Sequence, residues 1–350
     1  MKFATLLCCF YFALSSCSAQ EPTQILRFGE GKHIVLLLDS AAASQAITYD
    51  KRDRFFDLVT ASEMSIQMHR PITESQTRSM LLPEYLRYLK GDMASFSAAE
   101  AKFTAEVMEK VYKTCAGVSA GIFPDTLKII KTKGNHYGDG TYYTRENCII
   151  IPANELEARK TNPFTTTMFH ELFHVYSRLN PVKSARLYKL IGFETVGLNK
   201  MRIPNELAAR ILYNPDGVDF AQKITLTLDD KSQITAIPII YANNLGAKPG
   251  QNEFFGYLEF NLYRIVAEDD GTWRVITKAD GISSTLSLDK LPDFFRQIKD
   301  NTGYIIHPDE VLADNFSFIM VEKNGTKLSA KFSPEGKKLL VDIEAILSEK

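Results

Sequence analysis

Apolar residues recur along this chain in two rhythms, and the change from one to the other divides it. Over residues 53–68, and again over 97–113, they return at steps of three and four, the spacing of one helical face. The second stretch opens with Ser97 three residues before Glu100, a capping-box spacing that predicts a helix start. Residues 34–38, 127–130, 142–144 and 148–151 are short runs that predict strands, with turn chemistry at Gly138-Asp139-Gly140 and Arg145-Glu146-Asn147. Thr165 begins a predicted helix that stops at Asn180, because Pro181 disfavours helical geometry in the residue before it. A second helical pattern covers 184–190 and ends at Gly192. Between about Ala221 and Ile276 the rhythm turns to β-branched and aromatic runs, and Glu268-Asp269-Asp270-Gly271 marks a hairpin. A last helix opens at Pro308, with Asp309 and Glu310 suiting the dipole of its first turn.

This order predicts an α+β fold with a small sheet beside the Thr165 helix. Residues 142–151 are the expected edge strand, able to pair with an extended substrate. The expected divisions are a signal segment over 1–19, a helical and catalytic part over 20–200, a β-rich insertion over 201–300, and a helical part over 301–350 that completes the site. No repeat is evident.

Composition adds mainly exclusions. Lys and Arg total 41 against 42 Asp and Glu, so nothing in the bulk charge favours nucleic acid as a partner. The N-terminus is more informative. A Lys2 n-region precedes the apolar run FATLLCCFYFAL, which is too short to span a bilayer and reads as an export signal. Leu14-Ser15-Ser16-Cys17 resembles a lipobox, with Cys17 as the lipidated residue of a cell-envelope lipoprotein; the alternative is cleavage near Ala19 and free secretion. With Cys8 and Cys9 in the signal, Cys115 and Cys148 remain, as a disulfide or as two buried thiols.

The chemistry lies in His170-Glu171-Leu172-Phe173-His174. On a helix, residues four apart share a face, so both imidazoles can reach one metal ion. Glu171 can then act as general base on water activated by Zn2+. Such a motif arises by chance on the order of once in a hundred chains of this length, so a metal site outweighs two histidines that merely pack. Met168, Phe169, Leu172, Phe173, Val175 and Tyr176 could wall the site off from water.

Two histidines leave a third ligand to find. Glu194 follows His174 by twenty positions, Glu206 sits in PNELAARIL, and Glu310 sits in HPDEVLADNF. Glu310 is preferred because Asp314, one turn on, could hydrogen-bond a ligand histidine and set its tautomer; Glu194 and Glu206 have Leu198 and Arg210 there. HELFH followed by EVLAD resembles the HExxH…ExxAD pattern of gluzincin metallopeptidases, the class of thermolysin-like, CAAX-type and HtpX-like endopeptidases. The resemblance covers the two helices only. It implies a zincin-like catalytic domain, with His170, His174 and Glu310 as zinc ligands, Glu171 as base and Asp314 as their hydrogen-bonding support. The interval between His174 and Glu310 exceeds that of thermolysin-like enzymes, and the membrane spans of the CAAX-type enzymes are lacking.

Tyr304 and His307 are candidate oxyanion donors, although His307 also suits a capping role. Arg178 could anchor a carboxylate, with a solvated helix-end residue as the default reading, and Asp216 reads as part of an Asn214-Pro215-Asp216-Gly217 turn or as an outside metal ligand. His33, His69 and His136 lack ligand spacing. The expected activity is zinc-dependent hydrolysis of a peptide or protein. The rival reading is a non-catalytic, zinc-containing, substrate-binding lipoprotein, and retention of Glu171 weighs against it.

Overall fold

The computed structural model describes residues 22–73, 75–196, 200–217 and 220–349, so the expected signal segment and Cys17 lie outside the described residues. The fold is α+β with two sheets. The first contains β1 (Gln24–Phe28), β2 (His33–Leu37), β3 (Met93–Ala94), β4 (Thr126–Thr132), β5 (Tyr143–Arg145) and β6 (Cys148–Pro152), in the order β1-β2-β4-β6-β5, with β3 paired to β4. β2, β4 and β6 run parallel, and β1 and β5 close the two ends antiparallel. The unbroken CIIIP run of β6 is buried throughout, as expected of an inner strand covered on both faces.

β5 is the terminal strand, and one of its outward groups is already occupied. Its three residues are all buried, and the Thr144 N–H donates to Asp216 Oδ1 at 2.6 Å. At Thr144, then, the N–H of this expected edge is already taken from within the chain.

The second sheet comprises β7 (Phe193–Thr195), β8 (Met201–Arg202), β9 (Gln222–Thr227), β10 (Gln233–Ala242), β11 (Leu258–Ala267) and β12 (Trp273–Val275), in the order β7-β9-β10-β11-β12-β8. The Glu268–Gly271 turn joins β11 to β12, closed by Gly271 N–H to Glu268 O at 3.0 Å. This sheet begins at Phe193, before the expected boundary at 201. It packs into the same interior as the two helices of the expected site: Ile224, Leu226, Ala236 and Leu262 share one hydrophobic core with Phe169, Phe173 and Phe316.

Helix Ala98–Val118 starts with the capping box: Glu100 N–H reaches Ser97 Oγ at 3.4 Å, and Ser97 N–H reaches Glu100 Oε2 at 2.7 Å. The 53–68 pattern divides into Phe55–Leu58 and Ala61–Gln67, because Thr60 Oγ1 caps the second helix by accepting from Glu63 N–H. Helix Arg78–Gly91 carries Pro83 inside it, and the sequence reading did not anticipate it. The HExxH helix spans Thr161–Leu179, starting a turn before Thr165. Pro181–Leu190 follows at once, and the glutamate helix spans Pro308–Lys323. The rings of Phe173 and Phe316 lie 5.5 Å apart between the HExxH and glutamate helices. Cys115 and Cys148 are free, buried and in separate hydrophobic cores, so the disulfide alternative falls. Among the described residues no helix is long and apolar enough to cross a membrane.

Candidate metal centre

Helical periodicity puts His170 and His174 on one face of the HExxH helix, with ring centroids 4.8 Å apart. The glutamate helix crosses that face and begins at His307, whose Nδ1 accepts the Asp309 N–H at 3.1 Å. This start delivers Glu310 to both rings: its Oε2 lies 3.0 Å from His170 Nε2 and 3.3 Å from His174 Nε2. The three ligand atoms all lie within 4.8 Å of one another, a group that could hold a metal ion. A tetrahedral cation with bonds of about 2.1 Å would set its ligand atoms about 3.4 Å apart, close to these separations.

The hydrogen bonds around the rings strengthen the case. His170 Nδ1 lies 2.9 Å from Asp314 Oδ1, and His174 Nδ1 lies 2.7 Å from Asp309 Oδ2. If each Nδ1 donates to its carboxylate, each neutral ring turns the lone pair of Nε2 toward Glu310 Oε2, itself an acceptor. Three acceptors then face one point, which is favourable only with positive charge between them. His174 Nε2 has no hydrogen-bond partner among the described residues, although it is buried. For His170, burial works against the imidazolium, yet Asp314 and Glu310 outweigh it and lift the ring to about 10. For Glu310, burial works upward, but His174 and His170 hold the carboxyl well below the usual carboxylate range. This is a field that draws in a cation.

Glu171, the neighbour of His170, is buried and its Oε2 has no hydrogen-bond partner among the described residues. Burial, with Asp216 adding repulsion, pushes its carboxyl up to about 8. Tyr304 stands at the rim, 38% exposed, its ring 6.1 Å from that of His170. Burial and the negative charge of Glu310 raise its phenol far above the usual range, so it keeps its proton at neutral pH.

The other candidates fall elsewhere. His307 serves as the helix cap and packs against Gly217, where an added Cβ would come within 2.3 Å of its ring. Nδ1 accepts the Asp309 N–H, so the ring performs the capping role the sequence allowed and carries its proton on Nε2. Glu194 is solvent-exposed on β7 and pairs with Lys223 at 3.1 Å. Glu206 is exposed in the four-residue helix Asn205–Ala208, beside Gly281. Neither joins the cluster. Asp216 is in the expected turn and binds Thr144, outside the ligand group but within its electrostatic field. Arg178 is not solvated: it is buried, pairs with Asp53, and donates to Thr144 Oγ1 at 3.0 Å and to Glu146 O at 3.1 Å.

Sequence reasoning missed Asp309, Asn214 and Thr302. Asp309 holds His174 and also accepts from the hydroxyls of Ser177 and Tyr188, each at 2.6 Å. Asn214 Nδ2 donates to Glu310 Oε1 at 2.6 Å, and the Thr302 hydroxyl donates to Asp314. The only signal for Asp309 was its place beside Glu310, which suggested a helix-dipole role; Asn214 and Thr302 had none. A cavity of about 860 Å3 borders Asp309, His307, Ser177, Arg178, Tyr188 and Asp216 but none of His170, Glu171, His174 or Glu310, so it backs onto the supports and not the ligands. Comparison with protein-family models, with curated proteins and with solved structures finds no match to this chain.

Proposed function

We infer that this chain is a zinc-dependent metallopeptidase, with His170, His174 and Glu310 holding the metal in a zincin-like catalytic domain. The observation that carries the reading is the convergence of both Nε2 atoms on one oxygen of Glu310, beside the unpartnered Glu171 Oε2. Imidazole and carboxylate donors with short, near-tetrahedral spacings suit zinc among the common cations. Bound zinc supplies Lewis acidity toward a carbonyl and toward water. The chain's own groups do the rest. Asp314 and Asp309 hold protons on the two Nδ1 atoms and keep each Nε2 free to ligate. Glu171, raised toward neutrality by burial, accepts a proton from the attacking water and returns it to the leaving amine. Tyr304, a neutral phenol at the rim, donates a hydrogen bond to the developing oxyanion. Peptide or protein is the proposed substrate. The export signal supports a cell-envelope location, with Cys17 as the lipid anchor, or free secretion if cleavage falls near Ala19.

The test measures bound metal in the purified soluble chain, then cleavage of a denatured-protein pool by wild type and Glu171→Gln. Both should carry zinc, and the variant should be slower by about 10²–10⁴-fold, the usual contribution of a positioned general base. Equal cleavage by the two would sink the catalytic assignment. Zinc without cleavage by either would mark a binding protein instead.

A further inference from the structure

Glu310 has two carboxylate oxygens, and only one of them faces the histidines. Oε1 is turned away and accepts the 2.6 Å hydrogen bond from Asn214 Nδ2. The orientation of that amide is set by its other end: Asn214 Oδ1 accepts the Asp216 N–H at 3.1 Å, so the nitrogen must face Glu310. Asn214 is 9% exposed, and the turn that carries it is fastened on three further sides. Pro215 O accepts from Arg178 Nη2 at 3.2 Å, Asp216 takes the Thr144 N–H, and Gly217 lies against the His307 ring. These contacts tie the turn to the HExxH helix, to β5 and to the cap of the glutamate helix. The amide therefore has little freedom to follow Glu310 if that side chain rotates.

A carboxylate can ligate a metal through one oxygen or through both. Rotating the second oxygen inward would add a fifth donor beside the water that a hydrolytic site holds at its open position, and so crowd that position. We propose that Asn214 is a positioning residue that pins Glu310 Oε1 and so holds Glu310 to one-oxygen ligation. The inference rests on the metal-centre reading above. It gives the region between the HExxH and glutamate helices a part in the centre, although no ligand lies among that region's described residues.

Cobalt substituted for the native metal in the full soluble chain tests this without relying on turnover, because its visible bands are stronger in four-coordinate than in five-coordinate sites. Asn214→Leu keeps the volume and removes the donor. Asn214→Ser retains an acceptor for the Asp216 amide but is too short to reach Glu310. Both variants should bind cobalt stoichiometrically with weakened bands, and turnover should fall about 10–100-fold, as when other supports of a metal ligand are lost. A Ser variant with wild-type bands overturns the proposal, and that variant alone decides if the Leu variant fails to fold. A wild-type chain that takes up no cobalt overturns the metal centre itself, a separate and recognisable outcome.

Discussion

The two carboxylates that hold the histidines of the proposed metal site differ in how replaceable they are. Asp314 has a side chain 24% exposed, so water can take its place beside His170, whereas the Asp309 side chain is 2% exposed. Losing Asp309 leaves His174 Nδ1 and the Ser177 hydroxyl buried without that acceptor, at about 1–3 kcal/mol for each such group. Asp309→Ala should therefore weaken zinc binding more than Asp314→Ala and also lower the unfolding midpoint; chelator competition and urea titration read the two effects. Asp314 was legible because a helix places it one turn beyond Glu310. Asp309 was not, because adjacent residues on a helix point about 100° apart and only the crossing of two helices decides what each side meets. A second residue-scale effect lies away from the proposed metal site. Burial pushes the Glu63 carboxyl up to about 8 from an ordinary 4.5, against donors from Tyr213 and Gln67. The folded state thus holds a proton that the unfolded state releases between those values. Stability from this group should be full below about 4.5, fall as pH rises toward about 8, and level off beyond. Urea midpoints measured across that range should show the decline, and Glu63→Gln should flatten it.

At the scale of elements, the spacing of the HExxH and glutamate helices sets the distance from Glu310 to the rings. Phe316, fully buried against Phe173, fills that interface. Phe316→Ala should cost about 3–5 kcal/mol in denaturant unfolding. It should also weaken metal affinity in a chelator competition, since the helices can settle toward the cavity; an unchanged affinity would separate the packing from the site. Elements with a local signature were readable from sequence: the Ser97–Glu100 box, the Asn180-Pro181 stop and the Pro308 start all stand in the structure. Helix Arg78–Gly91 was not, because Pro83 contradicts its interior and only three of its fourteen residues are fully buried. The identity of β5 as terminal strand was readable too. Its hydrogen bond to Asp216 was not, since the partner lies 72 residues away in a turn with no tendency of its own to point there.

For the molecule as a whole, the proposed metal joins residues 140 apart in sequence, and the chain between them includes the entire second sheet. An ion that binds only the folded form should act as a staple, worth about 2.7 kcal/mol at a free concentration one hundred times its dissociation constant. Chelation should lower the thermal midpoint, and added zinc should restore it; a midpoint indifferent to both would mean that the cluster binds no ion. A change of rhythm reports where strands begin and not which core they enter. The second sheet enters the core of the HExxH helix. The same division of the interior isolates the two thiols. Cys115 and Cys148 are sealed in different cores, and burial raises both above their ordinary range, Cys148 to about 11. Neither can meet the other or form much thiolate while the chain is folded. Maturation should then need no oxidant to join these two, and the folded protein should behave alike with or without a reductant that does not bind zinc.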